Sequence, residues 1–197
     1  MTSLRASVVL LVLAGCAALE PSADPMDRAA VTAGTEIAFD PHMGHHKAVA
    51  PSVLDYKLIK TVEDCGGYVC NYHSSRYMLR AWSDNTPFEM AGAQLYVSAR
   101  FNHDWAFLDS AWSGGRSLPT TSIGRTIVNC DPTRALGISG CEVVETVGVG
   151  LTRAQLEAAA AQGFSVKLQG RRDSVILDVP APYFAGFLEA LDGAAAR

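Results

Sequence analysis

The sequence has few lysines, no block of basic residues and little charge of either sign. Lysine occurs four times against twelve arginines, and the only adjacent basic pair, Arg171-Arg172, runs straight into Asp173. Binding to nucleic acid draws on clustered cations that neutralise phosphates, whereas the formal net charge here is −4. No nucleic-acid partner is therefore expected. The apolar stretch at 8–13 falls far short of the roughly 20 residues that a membrane-spanning helix needs.

The usual signatures of catalysis are missing too. Residues 137–141, Gly-Ile-Ser-Gly-Cys, pass near a nucleophile elbow without forming one, and no SxxK occurs. Residues 113–117, Ser-Gly-Gly-Arg-Ser, lack the lysine and the spacing of a phosphate-binding loop. His103 and Asp104 are neighbours, so in a strand they would point to opposite faces, and their surroundings read better as a turn. No spacing singles out a carboxylate pair for glycoside cleavage. No residue is nominated for catalysis, and no cofactor is expected.

What the chain does have is core material. With 197 residues, 49% hydrophobic and 18% charged, it suits one compact domain with short appendages. It also has five cysteines, four of them in two close pairs downstream and one alone near the start.

The lone cysteine ends an export-type signal. Arg5 precedes the apolar stretch, small residues follow it, and the stretch closes on Leu13-Ala14-Gly15-Cys16. That box resembles the lipobox of bacterial lipoproteins at every position, although the resemblance covers only the first seventeen residues. It implies that the Cys16 thiol receives a diacylglyceryl group, that the signal 1–15 is cut just before it, and that the freed amine is acylated. Two or more acyl chains anchor a protein stably, where one is marginal. The following residue is Ala17 and not Asp, which by the same resemblance implies the outer membrane.

Residues 16–50 are expected to form the lipidated N-terminus and a flexible tether, because Pro21, Pro25 and small residues dominate its first half. Its far end holds His42, His45 and His46 within five positions. Imidazoles this close are weak candidates for Zn, Cu or Ni. The HxxHH spacing lacks the glutamate of HExxH, and Pro41, Gly44 and Pro51 argue against a helix that would align the rings. A solvated loop or strand entry is the simpler expectation.

From residue 54 the hydrophobic period is near two. Residues 94–101 place Leu95, Val97, Ala99 and Phe101 on one face and Gln94, Tyr96, Ser98 and Arg100 on the other. Similar runs at 54–62, 67–72, 76–82, 105–112, 124–129, 142–149, 164–168 and 174–179 are separated by turn residues. Two helices are expected. Thr152 and Gln155 form a capping box for the first, at about 152–162, which Gly163 ends. Phe184, Phe187, Leu188 and Leu191 stripe the second, at about 180–192, with Pro182 in its first turn. The fold class is thus α+β, a largely antiparallel sheet or sandwich in a single domain at 51–197.

An even set of cysteines in an exported chain reads as disulfides. Of three possible pairings, the neighbours Cys65–Cys70 and Cys130–Cys141 are expected, each closing a loop between strands. A zinc site using His73 lacks a fourth ligand, and a redox pair is usually CxxC. The leading expectation is a non-catalytic lipoprotein at the periplasmic face of the outer membrane. It would touch the membrane through its anchor and present its domain, including the 112–116 loop, to another envelope protein. The alternatives are a small periplasmic hydrolase with an unmarked active site, and metal capture by His42, His45 and His46.

Overall fold

The computed structural model of the chain describes residues 27–58, 72–85, 88–102, 105–130 and 141–196. The alternating segment becomes the central strand β5 (Gly92–Phe101), flanked antiparallel by β4 (Tyr72–Ser83) and β9 (Cys141–Leu151). Beyond β9 the sheet ends at β8 (Thr120–Cys130). Beyond β4 it divides: the first half of β4 pairs with β3 (Val53–Leu58) and the second with β2 (His45–Val49), which pairs with β1 (Glu36–Asp40). A second, four-stranded sheet has the order β11 (Ser174–Val179), β10 (Phe164–Gly170), β6 (Leu108–Ser113), β7 (Arg116–Leu118). The chain passes from one sheet to the other at Pro119, whose carbonyl accepts a 2.8 Å hydrogen bond from Gly150 N. Proline has no amide to donate, so it sits where a ladder ends.

Period-two patterning decides which face is dry. Tyr77, Leu79 and Ala81 on β4, Leu95, Val97, Ala99 and Phe101 on β5, and Val147 and Val149 on β9 are all buried, and the rows Tyr77–Val97–Val147 and Leu79–Leu95–Val149 run in register across the three strands. The second sheet adds Leu108, Ala111, Val166, Leu168, Val175 and Leu177 to the same core. Helix α3 (Ala181–Ala195) joins them: Tyr183 meets Tyr77 edge-on at 5.5 Å, while Phe184 meets Phe164 of β10 at 5.9 Å. Burying each such large side chain contributes about 1.5–3 kcal/mol. The α+β reading thus holds at the level of a mostly antiparallel two-sheet fold with helices.

The expected capping box starts helix α2 (Arg153–Gln162). Thr152 accepts from the Gln155 amide, the Gln155 side chain accepts from the Thr152 amide, and Gly163 follows at φ 80°. Helix α3 runs on to Ala195, past its expected end.

A third helix, α1 (Arg28–Gly34), lies where a tether was expected, and β1 and β2 follow it. The stretch from 28 to 49 is therefore folded structure, and the tether expectation over 16–50 does not hold for it. Val31 is fully buried, and α1 approaches α3 at Gly186, where a Cβ would collide with the Arg28 carbonyl. Seven residues are too few for a helical period to stand out. Strand β6 begins at Leu108, later than expected, because Phe107 has a positive φ of 59°. Most of the strand expected at 67–72 lies outside the described residues; only Tyr72 is described, at the start of β4.

Candidate functional site

The other face of the large sheet carries the polar half of each alternating strand, and its residues stay mostly half-exposed. Strand register arranges them in rows. Asp40 lies beside His45, with Asp84 just past the end of β4. The next row is Lys47, Trp82 and Gly92, and the one after it is Arg80, Gln94 and Gly150. Asp40, Met43, His45, Lys47, Arg80, Trp82 and Asp84 line one open cavity of about 520 Å³, a size ordinary for small-molecule sites.

This face is built, not merely wet. The Trp82 indole lies over Gly92 and the Gln94 side chain over Gly148, each occupying the space where a Cβ would stand. Gln94 is only 9% exposed, and its Oε1 accepts from both Nε and Nη2 of Arg80, the first at 2.9 Å. The same guanidinium rests on the Tyr96 ring, 4.6 Å from its centre, an attractive cation–π arrangement. Arg80 is thus fixed in place by a neutral amide and an aromatic ring, without a carboxylate partner among the described residues. Lys47 and Asp84 likewise have no assigned side-chain partner there. At the β1–β2 turn, Asp40 Oδ1 accepts from the amides of His42 and Met43 at 3.0 and 3.2 Å. The cavity therefore has fixed positive charge at one end, acidic groups at the other and an aromatic floor between them.

A second constellation surrounds Glu145, which is 1% exposed on the dry face of β9. Its carboxylate accepts from the amides of Phe107 and Leu108 at 2.8 and 2.9 Å, and Arg125 Nε lies 3.2 Å away. A bulky residue at positive φ is costly and needs support, and these bonds supply it for Phe107. Arg125, Arg172 and Arg171 stand around the Phe107 ring at 5.2, 5.7 and 6.0 Å. Because the carboxylate is committed to the chain itself, it acts as a structural brace.

The histidine cluster does not converge. His45 and His46 are successive strand residues and point to opposite faces: His45 lines the cavity, His46 packs on Phe39 at 5.1 Å, and His42 sits in the turn. Among the described residues no three His, Cys, Asp or Glu side chains gather to hold a metal. Trp112 is 45% exposed on the second sheet and is not core, and the turn after it runs through Gly114 and Gly115 at φ 55° and 75°. Cys130 and Cys141 are opposite one another in the β8–β9 ladder and form a disulfide. Cys16, Cys65, Cys70, His103 and Asp104 lie outside the described residues. Comparison of the chain with protein-family models, curated proteins and solved structures finds no match.

Sequence reasoning missed Lys47, Arg80, Trp82 and Asp84 as a group. Their shared face is implicit in the strand alternation, but their neighbourhood depends on which strands pair.

Proposed function

We propose that this chain is a non-catalytic lipoprotein, held by Cys16 at the periplasmic face of the outer membrane, which presents the open face of its large sheet to another envelope component. The observation that supports this most is the preorganised polar face. Two glycines, Gly92 and Gly148, make room for Trp82 and Gln94 to lie flat, and Arg80 is immobilised without a counter-ion. A face that only had to meet water would need no such arrangement. The lipobox-like ending at Cys16 supports the location.

Two measurements test the proposal. A Cys16→Ser chain should lose lipid labelling and accumulate as uncleaved precursor; normal processing would overturn the anchor. A photo-crosslinking residue at Arg76, exposed on the open face, should capture one envelope partner in intact cells. The same residue at Lys167, exposed on the second sheet, should not. Equal capture from both positions, or none from Arg76, would overturn the presentation role.

A further inference from the structure

We propose that the cavity between Arg80 and Asp84 binds a short peptide whose free carboxylate and free ammonium group are both recognised. The inference rests on the open face being a recognition surface and adds the chemistry of its ligand.

Charge complementarity carries it. Arg80, locked by Gln94 and Tyr96, offers unneutralised donors in a fixed fork, the geometry that suits a carboxylate. Lys47, one row away on β2, adds a second cation without an assigned partner. Asp40 and Asp84 mark the opposite end, where an ammonium would be neutralised. Trp82, held down by Gly92, forms the floor between the two ends. With two cations facing two acids, a plain anion would meet repulsion from Asp40 and Asp84, and a plain cation would meet repulsion from Arg80 and Lys47. A ligand carrying both charges meets neither.

Spacing sets the length. Asp84 lies at a bend four positions beyond Arg80, so their backbones are separated by at most about 13 Å, the length of four fully extended residues. A tripeptide, at about 3.3–3.6 Å per residue, spans roughly 10 Å.

The test is calorimetric titration of the full chain, in a maltoside detergent, with triglycine, N-acetyl-triglycine, triglycine amide, glycine and phosphocholine. Saturable binding of triglycine is expected, weakened about tenfold or more by capping either end, as befits loss of a charge-assisted contact. Glycine should bind more weakly than triglycine. Asp84→Asn should weaken triglycine binding while erasing the penalty for N-acetylation. Arg80→Gln should do the same for the amide. Lys47→Gln, on the neighbouring strand β2, gives a second reading of the ligand's anionic end if Arg80→Gln disturbs the face. Equal binding of capped and free peptides, absence of saturable heat, or preference for phosphocholine would each overturn the proposal. A partner captured from Arg76 alongside such a result would leave the presentation role standing and sink only the peptide assignment.

Discussion

At the residue scale, Tyr183 shows how one hydroxyl repairs a break in a sheet. Between β2 and β3 the chain leaves β4, and the Ala50 amide still donates to the Leu79 carbonyl at 2.9 Å. The Leu79 amide has no strand neighbour to meet, so it donates to Tyr183 Oη at 3.2 Å, and that hydroxyl donates to the Pro51 carbonyl at 2.7 Å. Tyr183→Phe would leave the buried Leu79 amide unsatisfied and should cost roughly 1–3 kcal/mol, measured as a lower midpoint in urea unfolding. Burial, reinforced by nearby Tyr77, raises the pKa of the Tyr183 phenol well above its ordinary 10.0. The sign follows: a proton held more tightly in the folded state gives stability that is complete below about pH 10 and is lost as pH rises beyond it. The variant should lose part of that alkaline decline.

At the element scale, the docking of α1 depends on a residue with no side chain. Gly186 lets α3 touch the Arg28 carbonyl and the Val31 side chain. The Thr32 hydroxyl lies 2.9 Å from the Arg28 carbonyl and 3.1 Å from the Gly186 carbonyl, sharing its one proton between them, and Arg28 meets Glu189 at 2.7 Å. That ion pair is exposed and contributes little by itself; the close approach decides the contact. Gly186→Val should push α1 away, with a loss of about 1–3 kcal/mol from overpacking and new protease cleavage near residues 28–34. An unchanged cleavage pattern would mean that α1 is held by something else. The helix stripe of α3 and the capping box of α2 could be read in advance because each depends on neighbours along the chain. Helix α1 could not, since its single buried residue, Val31, acquires meaning only against Gly186.

At the scale of the whole molecule, the two sides of the large sheet have different tasks. One side shares a single core with α3 and the second sheet; the other stays open and ordered around Trp82 and Arg80. The sheet ends at β8, which is exposed from Thr121 onward and shows Ile123, Ile127 and Val128 to solvent. With so little burial, β8 depends on its ladder with β9 and on the disulfide at their far end. Replacing both Cys130 and Cys141 by serine should cost about 2–3 kcal/mol through the freed loop, with faster amide exchange along β8 than elsewhere in the sheet. Reductant should have a matching effect on the wild type and none further on the variant at this bridge. Undiminished stability would mean that the ladder alone holds the edge.

Whatever depended on short stretches of chain was determined by the sequence alone: the alternation of β5, the start and stop of α2 and the aromatic stripe of α3. Each is written in residues two to four positions apart, where backbone geometry links pattern to structure directly. The meeting of Lys47, Arg80, Trp82 and Asp84 with Asp40, the folding of 28–49 onto the domain and the bracing of Phe107 by Glu145 were decided only by the tertiary structure. These depend on strand order and register, which many distant contacts settle together and which no local period encodes.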